Sequence, residues 1–313
     1  MPFSITILGS SSAVPTIERY PSAHLLNADE HFYLIDCGEA VQIQLRKYNC
    51  KIGKINNIFI SHLHGDHVFG LYGLLSTFIL LERKTPLNIF AHVQIKDIVN
   101  DFIKYFGKGI TFSINIFTLK HRQRGVIFED EKITVTAFPL KHSIPVCGFL
   151  FKEKEKLLNI KKDKIDEYSI SLANIHLIKN GSDLILDNGT VIPNKELTSP
   201  PLHQRSYAYC TDTAYYEKII NEVTDADILY HEATFSKNDK DRAKKTLHST
   251  SVDAANIAKL ANVKKLIIGH FSARYKTKDI NKLYREAKSV FPESYIANEG
   301  DIHKIEQKRV KRN

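Results

Sequence analysis

The sequence predicts an α/β fold of two facing mixed sheets, with helices on their outer sides and one protruding arm. Three observations predict it. Strand-like and helix-like stretches alternate over residues 3–105, short strands follow one another over 111–152, and the alternation resumes after Arg205. Strand-rich stretches flanked by helix-rich ones in both halves bury their apolar faces by packing sheet on sheet, with helices outside.

Each element has its own signal. Residues 3–8 and 32–36 are apolar runs of strand length, and 39–48 has helical spacing. Residues 57–60 read as a buried strand, and the Gly- and Leu-rich run 68–81 as a helix. A strand at 87–91 and a helix at 93–105 follow. Strands are expected at 111–118, 126–128, 133–140 and 147–152, then at 206–211, 228–231 and 265–270. Helices are expected near 215–223, 251–261 and 279–291. The intervening segment Glu153–Arg205 is rich in Lys, Asn and Asp, carries Asn180-Gly181 and Asn188-Gly189 turn signals, and ends in Ser199-Pro200-Pro201. Its sparse apolar residues suit an arm with a small hairpin or helix of its own inside a single domain of residues 1–313.

Composition bounds the function. With 43% hydrophobic and 25% charged residues, the 313-residue chain falls among globular proteins and not among disordered or membrane-spanning ones. No apolar run reaches transmembrane length, and the first eight residues enter a strand without a basic region, so no signal peptide is expected. The four cysteines lack Cys-x-x-Cys spacing, which fits reduced thiols and a cytoplasmic location. A net charge of +9 favours a polyanionic partner, although charge alone is weak support. Basic residues gather at 152–164, 237–245 and 304–312; each run taken alone reads as a solvated face or tail.

The chemistry centres on Ser61-His62-Leu63-His64-Gly65-Asp66-His67, which packs three imidazoles and a carboxylate into six consecutive positions. Between a buried strand and a helix, such side chains splay around a cation; desolvating them together without one is costly. Further polar residues stand at or just beyond the ends of expected strands: Asp36, His142, Asp212, His231-Glu232 and His270. Strand ends are where a sheet presents groups to a pocket. Alone, His142 or His270 would ordinarily be a structural histidine. Together with the first cluster, His142, Asp212 and His270 complete a set of five imidazoles and two carboxylates, enough for two metals. Such donors without thiolate suit zinc, with manganese and iron also compatible. Two metals about 3.5–4 Å apart suit displacement at phosphorus.

These residues resemble the metallo-β-lactamase superfamily, whose αββα sandwich is the fold implied here. The likeness narrows to the ribonuclease Z family, tRNA 3′-processing endoribonucleases. It extends over Leu8-Gly9-Ser10-Ser11-Ser12-Ala13-Val14-Pro15-Thr16 and Ile35-Asp36-Cys37-Gly38-Glu39-Ala40-x-Gln42, and takes in His231-Glu232-Ala233-Thr234-Phe235. His248-Ser249-Thr250 and Gly269-His270-Phe271-Ser272-Ala273-Arg274-Tyr275 complete it. The resemblance implies two zinc ions per subunit. His62, His64 and His142 would hold one, Asp66, His67 and His270 the other, and Asp212 would bridge. It also implies that Asp66 handles a proton of the attacking water. Glu232 and His248 would relay a proton to the leaving oxygen, and Ser272 and Arg274 would hold the phosphate or the adjoining nucleotide. Glu232 as a purely structural partner of His248 remains the alternative.

The resemblance further implies that the arm Glu153–Arg205 grips precursor tRNA, and that the chain forms a homodimer in which one subunit's arm serves the other. The chain departs from the family at one place, where Ser169-Ile170-Ser171-Leu172-Ala173-Asn174-Ile175 replaces the usual Gly-Pro-rich turn. The leading expectation is removal of the 3′ trailer from precursor tRNA after the discriminator nucleotide. A phosphodiesterase or nuclease for small or single-stranded substrates is the second reading, and a metal-free RNA-binding paralogue the third.

Overall fold

A computed structural model of the chain describes residues 2–309. The basic residues Lys311 and Arg312 of the C-terminal run lie outside them. By its contacts the chain separates into two compact units, one comprising 1–152 and 206–305, the other Glu153–Arg205 with the segment from Glu306.

The strands of the larger unit begin with β1 (Phe3–Gly9), β2 (Ala23–Ala28), β3 (His31–Ile35), β4 (Ile55–Phe59), β5 (Leu87–Ala91) and β6 (Ile114–Thr118). They continue with β7 (Gly125–Glu129), β8 (Ile133–Pro139) and β9 (Cys147–Glu153). The smaller unit holds the two-residue strands β10 (Asn159–Ile160), β11 (Leu184–Ile185), β12 (Val191–Ile192) and β13 (Thr198–Ser199). The chain returns through β14 (Ser206–Cys210), β15 (Ile228–Glu232), β16 (Leu266–Gly269), β17 (Ser294–Ile296) and β18 (Ile302–Lys304).

Two seven-stranded mixed sheets result, ordered β18-β1-β2-β3-β4-β5-β6 and β17-β16-β15-β14-β9-β8-β7. Between them lies an apolar layer that includes Ile5, Tyr33, Phe59 and Phe90 from the first sheet and Phe149, Tyr207, Tyr209 and Tyr230 from the second. Parallel register in the first sheet stacks Phe59, Phe90 and Phe117, with successive ring centroids 4.7 Å apart. Helices α1 (Val41–Lys47), α2 (Gly65–Val68), α3 (Gly70–Leu80) and α4 (Ile95–Phe106) share an outer apolar cluster with the first sheet. The smaller unit contributes α5 (Lys162–Glu167), α6 (Leu172–Lys179) and α7 (Asn194–Leu197). The second sheet is covered by α8 (Ile220–Val223), α10 (Ser251–Leu260) and α11 (Thr277–Val290), with α9 (Lys240–Thr246) preceding α10. Thr250 caps α10 in a reciprocal box with Asp253, which satisfies amide donors that the first helical turn leaves free.

The structure differs from sequence expectation in instructive places. Strand β2 was not expected, because Ala23-His24-Leu25-Leu26-Asn27-Ala28 lacks β-branched residues; its neighbours β1 and β3 impose the conformation. The helix expected over 215–223 is a short 3₁₀ turn, Glu217–Ile219, leading into α8. The helix expected from Val68 starts earlier, at Gly65, and is interrupted at Phe69.

In the smaller unit, Ile170, Ile178, Leu184 and Leu197 form a small buried cluster. Ser171 caps α6, its hydroxyl accepting from Asn174 N at 3.3 Å, so a capped helix stands where the family's turn would be. Among the described residues, no helix is long and apolar enough to cross a membrane.

Candidate metal centre

The polar side chains at the strand ends converge. Asp36 follows β3, Asp212 lies two residues beyond β14, and His270 follows β16. All three adopt left-handed backbone conformations, with φ of 57°, 42° and 59°. For residues with a Cβ that geometry costs about 1 kcal/mol each, strain of a kind that concentrates at functional sites. At the other wall, α3 approaches the loop after β3 so closely that a Cβ on Gly70 would lie 1.9 Å from Gly38 O. Glycine there lets Gly70 N donate to Cys37 O and Cys37 N to His67 O, which fixes His67.

All seven side chains expected to bind metal lie together. Ligand atoms of His62, His64, His142 and Asp212 all fall within 4.8 Å of one another, as do those of Asp66, His67 and His270. Asp212 faces both groups. Its Oδ1 is 3.1 Å from His67 Nε2 and 3.0 Å from His270 Nε2, while Oδ2 is 3.5 Å from His62 Nε2 and 3.6 Å from His142 Nε2.

Hydrogen bonds behind the imidazoles set which nitrogen points inward. Ser61 Oγ donates to Asp36 Oδ2 at 2.9 Å and so accepts from His62 Nδ1 at 3.0 Å. His67 Nδ1 donates to Asp36 Oδ2 at 2.7 Å, and His142 Nδ1 to Leu247 O at 3.0 Å. Thr234 Oγ1 donates to Glu232 Oε2 and accepts from His270 Nδ1 at 2.9 Å. With their outer nitrogens protonated, these four rings, when neutral, turn bare Nε2 lone pairs inward. There they meet His64 Nδ1, 3.1 Å from His62 Nε2, and Asp66 Oδ2, 3.3 Å from both His67 and His270 Nε2. Acceptors facing acceptors in a buried site call for positive charge, and this donor set fits metal ions. The electrostatics agree. Burial alone would raise the Asp212 carboxyl, yet His270, His67 and His62 hold it well below the carboxylate range. Burial opposes charge on His67 as well, but Asp66, Asp212 and Asp36 push its pKa well above the ordinary value, so that without a cation a proton on this ring supplies the positive charge these carboxylates call for.

Beside this cluster, His248 Nδ1 donates to Glu232 Oε1 at 2.8 Å. Glu232 is fully buried, and its carboxylate also accepts from Thr213 N at 2.6 Å and Ser249 N at 3.1 Å. Burial would lower the His248 pKa, but Glu232 overrides it and raises the value to about 9. His248 also comes within the 4.8 Å grouping of Asp212 and His270. Ser272 lines the same cavity, of about 710 Å³, and accepts from Arg274 Nε at 3.1 Å. The Arg274 guanidinium lies 5.4 Å from the Phe235 ring centroid.

Against known proteins, a family model described as anti-Pycsar protein Apyc1 matches residues 3–171. That portion belongs to this family's pattern; it includes His62 to His142 and stops before Asp212. Over 297 residues the chain is 43% identical to ribonuclease Z of Phocaeicola vulgatus, covering 95% of this chain and 96% of the other. The chain belongs to the ribonuclease Z family. Among solved structures, human tRNase Z, short form, matches with a TM-score of 0.68 and 27% identity over 96% of this chain and 98% of that one. The metallo-β-lactamase fold protein YhfI from Bacillus subtilis shares the fold at 20% identity, with a TM-score of 0.67 over 97% of this chain and 100% of that one. The fold is therefore the metallo-β-lactamase αββα sandwich expected from the motifs.

Sequence reading left several site residues of this ribonuclease Z family member without a role. Asp36 was visible as a strand-end carboxylate, and Thr234 lies inside the His-Glu-Ala-Thr box. Leu247 gave no signal, since its contribution is a carbonyl presented from a left-handed backbone of φ 57°. His231, next to Glu232, lies outside the cluster: it is buried, with Nδ1 donating to Glu232 O at 2.8 Å.

Proposed function

We propose that this chain is an endoribonuclease that removes the 3′ trailer from precursor tRNA after the discriminator nucleotide, leaving a tRNA 3′-hydroxyl and a 5′-phosphorylated trailer. The observation that carries the chemistry is Asp212, which turns one oxygen to each group of imidazoles. We assign His62, His64 and His142 to one zinc ion, Asp66, His67 and His270 to a second, and Asp212 to both. When bound, the ions supply Lewis-acid stabilisation of phosphoryl charge and make water a stronger acid.

The chain's own groups do the rest. Asp66, on the cavity wall, accepts a proton from the attacking water. Glu232 keeps the proton on the His248 ring and orients it, leaving Nε2–H for the departing 3′-oxygen. Ser272 and Arg274 hold the phosphate, the guanidinium being steadied by Phe235. Lys245, on the same wall, adds positive charge where the RNA backbone enters. The lysine-rich segment Glu153–Arg205 grips the tRNA. We further propose a cytoplasmic homodimer in which the arm of one subunit serves the other's centre.

The deciding experiment incubates zinc-loaded protein with a defined precursor tRNA and maps the cut to the nucleotide. Cleavage after the discriminator with a trailer 5′-phosphate is expected. No cleavage, or cleavage scattered over single-stranded regions, overturns the assignment.

A further inference from the structure

We propose that Phe69 is a stacking platform for a nucleobase flanking the scissile phosphate, an inference that rests on the nuclease reading above. Phe69 lines the cavity together with His64, Asp66, His142, Asp212 and His248, yet it is 69% exposed. Isolated exposed apolar residues are ordinary on protein surfaces. Phe69 differs in being held rigidly beside the reacting centre.

Its backbone is fixed on both sides. Phe69 N donates to Gly65 O at 2.8 Å, and Gly70 N donates to Cys37 O at 2.9 Å. The ring lies against the Gly65 backbone, one helical turn earlier, where a Cβ would come within 2.3 Å of Cε2 and 2.4 Å of Cζ. Glycine at position 65 therefore creates the seat, and the backbone supports one side of the ring. The rest of the ring stays open. The other phenylalanine of the cavity, Phe235, is only 5% exposed and is covered by Arg274, so it offers no such surface.

A flat aromatic surface, fixed beside a phosphodiester-cleaving centre, matches the planar face of a base. Every base has such a face, so stacking holds the strand without demanding a particular sequence. The ring orders the nucleotide before reaction and aligns the phosphate with the catalytic groups.

The test compares the parent protein with Phe69→Ala, Phe69→Leu and Phe69→Trp on three precursor tRNAs. One is intact, and the others carry an abasic site immediately 5′ or 3′ of the scissile phosphate. On the intact precursor, Phe69→Ala is expected to lose about tenfold in kcat/KM, the scale of one base–aromatic stack. On one abasic precursor the parent is expected to fall to the level of Phe69→Ala, whose own rate is unchanged. Phe69→Trp restores cleavage of the intact precursor and Phe69→Leu does not. Equal losses on all three precursors, or rescue by leucine as complete as by tryptophan, overturn the inference while leaving the nuclease intact. A parent protein that cuts none of the precursors overturns the nuclease reading and this inference with it. Melting temperature and bound metal, measured on each variant, separate a stacking defect from a damaged fold.

Discussion

Tyr209 Oη donates to Asp36 Oδ2 at 2.7 Å, bridging the two sheets behind the candidate metal centre. The same oxygen of Asp36 accepts from His67 Nδ1 at 2.7 Å, so a tyrosine of β14 helps hold an imidazole carried by α2. Partners behind metal ligands set ring orientation and basicity, and losing one typically costs 10- to 100-fold in affinity. Tyr209→Phe is therefore expected to bind zinc about tenfold more weakly in a chelator competition, with the fold retained. Unchanged affinity would show that Ser61 and His67 alone position Asp36.

Asp212 faces both histidine groups, so Asp212→Ala removes an oxygen from each. Turnover of precursor tRNA should vanish, and metal content by elemental analysis should drop. A variant that still processed precursor at the parental rate would disprove the shared role of this carboxylate.

For His248, substitution by glutamine removes the ring proton but leaves the inner donor set in place. The single-turnover rate should fall by roughly 10²- to 10⁴-fold, the usual contribution of a positioned acid. Bound metal and substrate affinity should remain close to those of the parent. Loss of metal instead would make His248 a ligand, consistent with its nearness to Asp212 and His270.

The segment Glu153–Arg205 begins and ends at one point, because Glu153 N donates to Arg205 O at 2.9 Å. A short Gly-Ser link can therefore replace residues 154–204 without stretching the chain. The shortened protein should cleave precursor tRNA poorly while hydrolysing a small chromogenic phosphodiester at the parental rate. Equal losses on both would favour a phosphodiesterase of small substrates, with the segment needed for folding.

That junction also gives a pH prediction. Burial would raise the Glu153 carboxyl, but Arg205, by side chain and backbone, and Lys156 outweigh burial and hold it below its ordinary value of 4.5. Arg205 donates to it from Nε at 2.9 Å and Nη2 at 2.8 Å. A carboxyl whose folded pKa is depressed adds stability above its unfolded value and loses it as pH falls through the folded one. Hydrogen exchange at the two ends of the segment should therefore accelerate as pH drops below about 4.5, after correction for intrinsic rates. Glu153→Ala, which leaves Arg205 buried without this carboxylate, should cost roughly 3 kcal/mol at neutral pH. It should also abolish that acid sensitivity.

Much of the site was legible because its chemistry is local. His62, His64, Asp66 and His67 lie within six residues, and their crowding favours a cation whatever fold surrounds them. Strands such as β4 and β5 were legible for a related reason, being short apolar runs bounded by polar turns. Strand β2 was not, since its conformation is dictated by pairing with β1 and β3 and not by its own residues. The interruption at Phe69 was equally hidden, because it depends on α3 closing against the loop after β3.

By itself, then, the order of residues determined which groups make up the candidate site and roughly where each strand delivers them, since side-chain chemistry and apolar periodicity are properties of short segments. Only the tertiary structure decided how they work together. It turned one oxygen of Asp212 to each group, set the imidazole lone pairs inward through Asp36, Leu247 and Thr234, and seated Phe69 on Gly65. The physical reason is that hydrogen-bond direction and close contact depend on positions in space between residues far apart along the chain, and packing alone brings them together.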